Sequence, residues 1–172
     1  MKKLSTRKIV VCGILSALAL ISFMLENLFP PIFVPGARLG ISNIFILSAA
    51  IFLGYGYAFA AFLVKVILGS VFAGNPSAIL YSLPSGAIAL AVELLLLRFS
   101  VRVSVTAIST VGSVINIILQ NTVFCVITRT YAYFAYSPYL ALIGTLSGAA
   151  VGFCVYLAVK LLPEKLYAEQ NR

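Results

Sequence analysis

Few side chains in this 172-residue chain are able to do chemistry, and the missing types narrow the choice. There is no histidine, and the only acids are Glu26, Glu93, Glu164 and Glu169, with no aspartate. A Ser-His-Asp triad, a His-based zinc site and an aspartate-rich site for magnesium–diphosphate are therefore excluded. No G-x-x-x-x-G-K-[ST] loop is present to cradle a nucleotide. Cys12, Cys125 and Cys154 lie far apart, without metal-ligand spacing, and read as small apolar core residues. The expectation is a protein that is not an enzyme, with no metal and no cofactor. What remains is a set of polar residues embedded in apolar sequence, and these point to binding.

The set begins in Pro30–Asn43, where three prolines and two glycines break the apolar chain around Arg38. Such a segment is shaped backbone, which membrane depth tolerates only when protein covers it or it lines a cavity. Either it folds over a ligand site with Arg38 and Asn43 facing inward, or it is a plain extracytoplasmic loop. Arg38 would offer an anionic or carbonyl-bearing ligand a fixed fork of donors. Lys65 lies deep in an apolar run, where a charge costs at least about 2.5–3.5 kcal/mol and so faces the protein interior. Its partner by type is Glu93, the one acid deep in a span; the pair is either structural or functional. Tyr81, Ser82 and Ser85 lie at the Pro84-Ser85-Gly86 kink and offer polar atoms. Asn116 and Gln120, four residues apart, share a helix face, with Asn121 beside them. Buried amides need partners, so these are either glue between helices or a ligand-reading set. Glu26, an acid at a helix end, either pairs with Arg38 across the loop or is simply hydrated, and the hydrated reading is the simpler. The aromatic stretch Tyr131–Tyr139 is either an interfacial belt or a lid.

The elements that must position these residues follow from composition. Hydrophobic types make up 62% of the chain, charged types 9%, and the mean hydropathy is +1.12. A soluble domain is about 45–50% apolar and about 25% charged, so this is an integral membrane protein. The apolar runs predict an all-α, six-transmembrane-helix bundle in a single domain, 1–172, with spans at about 9–28, 39–53, 57–72, 78–97, 103–127 and 139–162. Gly54-Tyr55-Gly56-Tyr57 reads as a tight turn between two short helices, with re-entrant segments as the alternative. Ala17-Leu18-Ala19 fits a signal-peptide cleavage pattern, but the apolar run continues through Leu25, so the stretch reads as the first membrane helix. Gly13 and Ala17, four apart, suit close helix approach, either inside the bundle or to a separate membrane partner. Gly144, Ser147, Gly148 and Gly152 form a second small-residue face.

The net charge of +8 does not indicate nucleic acid. Lys2, Lys3, Arg7, Lys8, Arg98, Arg102, Lys160, Lys165 and Arg172 flank the apolar runs on one side, and Arg38 and Arg129 lie on the other. Positive residues mark the cytoplasmic side, which predicts both termini in the cytoplasm of a multi-pass protein in a bacterial plasma membrane, in contact with lipid. Arg38 and Asn43, Ser82 and Ser85, and Asn116, Gln120 and Asn121 then fall at similar depth in the extracytoplasmic half.

The order of motifs resembles the Gx transporter family, also known as heptaprenyl diphosphate synthase component I. Its signature stands here as Pro35-Gly36-Ala37-Arg38-Leu39-Gly40-Ile41-Ser42-Asn43. The likeness continues through Lys65-Val66-Ile67-Leu68-Gly69-Ser70, Leu80-Tyr81-Ser82-Leu83-Pro84-Ser85-Gly86 and Asn116-Ile117-Ile118-Leu119-Gln120. Two positions depart from the pattern: Lys65 stands where Arg is frequent, and Ile115 where a histidine commonly precedes the asparagine. The family in turn looks like the substrate-binding S components of energy-coupling-factor (ECF) transporters. That resemblance implies capture of a small vitamin-like or cofactor-precursor molecule from outside, with uptake driven by a separate T protein and two ATPases. Gly13 and Ala17 would then contact the T protein. The alternative is a non-catalytic membrane accessory in heptaprenyl or menaquinone metabolism or in flavin-linked electron transfer.

Overall fold

In lipid a spanning backbone must satisfy its own hydrogen bonds, and the apolar runs do so as helices. The computed structural model describes residues 6–28, 40–99 and 103–161. Its α-helices are α1 (Thr6–Leu28), α2 (Asn43–Phe52), α3 (Tyr55–Phe72), α4 (Ile79–Phe99), α5 (Val105–Thr128) and α6 (Ser137–Leu161). Short 3-10 segments, Pro76–Ala78 and Tyr131–Tyr136, precede α4 and α6. Among the described residues there is no strand.

Five of these helices are long and apolar enough to cross a membrane; α2 is not. Its 10 residues reach about 15 Å, roughly half of the hydrocarbon thickness. The six full spans expected from sequence are thus five candidate spans and one half-length helix. The reason lies at both ends of α2. Gly40 has φ +75, a left-handed conformation, and Ile41-Ser42 form a turn, so the helix starts at Asn43 and not at Leu39. At the other end Leu53 and Gly54, the latter with φ +115, turn the chain into α3. Tyr55 and Tyr57, expected in the turn, belong to the first turn of α3.

Side-chain contacts fix the directions of the helices. Cys12 Sγ reaches the Tyr57 carbonyl at 3.6 Å, and Phe23 packs on Gly69, so α1 and α3 run parallel. Phe62 against Gly86, Ser82 beside Gln120 with Glu93 against Gly112, and Gly144 and Gly152 against Val114 and Thr106 make α3–α4, α4–α5 and α5–α6 antiparallel. The starts of α1, α3 and α5 and the ends of α4 and α6 therefore share one end of the bundle. Lys8, Arg98 and Lys160 lie at that end and Arg129 at the other. The remaining flanking basic residues lie outside the described residues, apart from Arg7 beside Lys8.

Close packing holds the helices together. A Cβ on Gly148 would meet Thr110 Cα at 2.7 Å, and one on Gly152 would meet Thr106 Cα at 2.6 Å. The small-residue face of α6 thus lies directly on the α5 backbone. Gly13 is different: it is exposed, as is Ala17, and a Cβ on Gly13 would meet nothing within 4 Å. The inner face of α1 is instead Ser16, Ala19 and Phe23. Outward faces carry Ile14, Ile21, Leu95, Leu142 and Leu146, the surface a lipid environment demands.

Gly152→Val should lower the midpoint of thermal unfolding in detergent, at a cost of about 1–3 kcal/mol for overpacking. Gly13→Ala should leave it unchanged. Equal midpoints for the two variants would show that α5 and α6 are not packed backbone to backbone.

Candidate functional site

Because α2 is joined to α3 by the short turn Leu53-Gly54 and is eight residues shorter (10 against 18), its N-terminus stops well below the top of α3. The polar residues gather at that level. Glu26, at the end of α1, accepts hydrogen bonds from the Gly40 amide (Oε2, 3.2 Å) and the Ser42 amide (Oε1, 3.1 Å). A carboxylate placed there satisfies donors at the start of α2 and complements the positive end of its dipole. The hydrated Glu26 expected from sequence is therefore a cap. Its role depends on the chain returning at Gly40, which no local pattern around residue 26 announces.

Lys65 projects from the middle of α3 and is 7% exposed. Its Nζ donates to Asn43 Oδ1 at 2.8 Å. Asn43 thus joins Glu93 as a partner of Lys65: the Glu93 carboxylate, in the same lining, acts on the ammonium electrostatically. The Phe62 ring lies 5.8 Å from the same ammonium and adds a cation–π contact.

A cavity of about 50 Å³ opens at this point. α1 contributes Phe23 and Glu26, and the start of α2 contributes Ser42, Asn43 and Ile46. α3 gives Phe62, Lys65 and Val66; α4 gives Ser82, Gly86 and Glu93; α5 gives Asn116 and Gln120. A smaller space of about 10 Å³ on the α6 side shares Asn43, Asn116 and Gln120 and adds Ser113 and Ser147. Gln120 Nε2 donates to Ser82 Oγ at 3.5 Å, joining α4 to α5 within the lining. Glu93 is 5% exposed and sits where Gly112 leaves room, since a Cβ on residue 112 would overlap its carboxylate.

Of the residues singled out from sequence, Asn43, Lys65, Ser82, Glu93, Asn116 and Gln120 line one cavity. Three others do not. Asn121 Nδ2 donates to the Tyr133 carbonyl (3.1 Å) and Ser137 Oγ (3.2 Å), fixing the aromatic segment against α5. Tyr81 packs edge-on against Phe124 at 5.7 Å, and Phe124 against Tyr133 at 5.6 Å. Ser85 Oγ donates to the Tyr81 carbonyl at 2.7 Å, a hydrogen bond inside the proline-containing turn. Arg38 and the stretch 29–39 lie outside the described residues. Gly13 and Ala17 are remote from the cavity, on the outer face of α1.

Fold and site together define a multi-pass helical membrane protein with a polar centre inside the bundle. Residues 15–157 match the family model described as heptaprenyl diphosphate synthase component I, and the chain belongs to that family. Neither a curated protein nor a solved structure matches it.

Glu26→Ala should destabilise the protein by about 0.5–2 kcal/mol, the range for a lost helix cap. It should also speed hydrogen exchange of amides in the first turn of α2. Unchanged exchange there would mean that Glu26 does not cap α2.

Proposed function

We propose that the protein is the substrate-binding membrane component of an ECF-type uptake system, catalysing no reaction itself. One observation carries this reading: five helices direct charged and amide side chains onto a single cavity inside an otherwise apolar bundle. The cavity lining brings an ammonium, two carboxylates and three amides to one space, the arrangement of a small-molecule site. An intramembrane ionisable residue is by default a candidate for a functional site.

In this reading the end of the bundle with Lys8, Arg98 and Lys160 faces the cytoplasm of a bacterium. The substrate enters from the opposite side, past the 29–39 stretch, where Arg38 takes a carboxylate or carbonyl. Asn116 and Gln120 orient the molecule, and Ser82 holds Gln120 in place. The outward small residues Gly13 and Ala17 leave α1 open to a T protein, with two ATPases supplying the energy. The family description supports a second reading, a membrane accessory of prenyl-chain synthesis, because a first component implies another.

Mass spectrometry of protein released from mild detergent tests the first reading. It should detect one small polar molecule in near-equimolar amount. Asn116→Leu and Gln120→Leu should each weaken its retention about tenfold, and Arg38→Ala should cost about 1.5–3 kcal/mol for a charged hydrogen bond. Co-purification of a prenyl synthase subunit with no small molecule would favour the second reading.

A further inference from the structure

The charged side chains around the cavity are each answered from within the protein. Lys65 Nζ donates to Asn43 Oδ1 at 2.8 Å, and the Glu93 carboxylate of the same lining acts on it electrostatically. Glu26 accepts from the Gly40 and Ser42 amides at 3.2 and 3.1 Å. Of the three carboxamides in the lining, two are also tied: Asn43 by Lys65, and Gln120 by Ser82 Oγ at 3.5 Å. Asn116 is the exception. It is half-buried and lines both the larger space and the smaller one on the α6 side. Among the described residues nothing hydrogen-bonds its carboxamide. The buried polar atom without a partner among those residues, Ser70 Oγ, lies outside both spaces. Asn116 instead opens onto the cavity, where a bound molecule can take its donor and its acceptor together.

We infer that Asn116 pairs with a neutral amide edge of the ligand, an N–H beside a C=O as in a primary amide, a lactam or a ureide. This rests on the reading of the cavity as the ligand site and names the chemical class that site takes. A carboxamide offers a donor and an acceptor side by side, and a partner must carry both to satisfy them in one plane. A carboxylate brings acceptors alone, and an amidinium donors alone. Either would also bring a charge, stripped of its water, into a lining whose own charges are already matched. The cavity measures about 50 Å³, against about 150 Å³ for one that holds benzene, so the amide end is the part of the molecule that enters it.

Acetamide, acetate and acetamidinium share one planar shape and differ in charge, which makes them the probes. Saturation-transfer NMR of their methyl signals, with the full-length protein in detergent and at constant ionic strength, reads weak binding directly once the signal from protein-free micelles is subtracted. A saturable acetamide signal is expected, stronger than that of either ion, and it should be lost in Asn116→Leu. An equal or stronger signal from acetate or acetamidinium overturns the inference. So does an acetamide signal unchanged in Asn116→Leu, or no signal from any probe in the parent. Should Asn116→Leu fail to fold, competition in the parent decides. Urea, which carries the same edge, should suppress the acetamide signal, and acetate should not; suppression by acetate, or none by urea, overturns the pairing. The measurement needs neither the transported substrate nor a partner protein. Its failure leaves substrate capture standing, and failure to find a captured molecule leaves the acetamide response measurable.

Discussion

Helices surrounded by lipid gain little by hiding apolar surface from one another, so their association depends on close packing. In this bundle the contact that provides it is a side chain, or a backbone, seated on a glycine. Phe23 lies on Gly69 between α1 and α3, and Phe62 lies on Gly86 between α3 and α4. Glu93 lies on Gly112 between α4 and α5, and the α5 backbone lies on Gly144, Gly148 and Gly152 of α6. Two of these seats hold a ring and the third holds a carboxylate. The packing that closes the bundle thus also carries an acid into its interior, and the polar centre is built into the helix contacts.

The half-length of α2 is the second constraint, and it follows from two glycines. Gly40 and Gly54 adopt conformations open to few other residues, and between them only ten residues remain helical. A full span at this position would fill the space beside Lys65, Asn116 and Gln120 with apolar side chains. The short helix instead ends in Ser42 and Asn43, with Glu26 capping its amides and Lys65 held by Asn43. The cavity lies where α2 stops. Position, charge and hydrogen bonding at the site therefore share a cause in the local backbone.

A single rule made much of the site legible in the sequence: a polar residue inside an apolar run has a reason to be there. It brought out Asn43, Lys65, Ser82, Glu93, Asn116 and Gln120, which line one cavity. The rule gives depth but not azimuth. Asn121 is one residue beyond Gln120, about 100° around the helix, and serves the aromatic segment instead. Tyr81 and Ser85 likewise serve packing and backbone. The small-residue face of α6 was readable from its four-residue spacing, because close backbone approach needs that pattern. The length of α2 was not, since Leu39–Leu53 is apolar enough for a helix and only the φ of Gly40 ends it. The parts played by Glu26 and Gly112 depend on residues distant in sequence, so nothing beside them in the chain reveals the contact.

The account stands on the claim that the cavity among Asn43, Lys65, Glu93, Asn116 and Gln120 is where a small molecule binds. An experimental structure of the protein, isolated from its native membrane without stripping, addresses this directly. The account predicts non-protein density in the cavity, in contact with Asn116. Density confined to the lipid-facing surface, with the cavity filled by side chains, would contradict it.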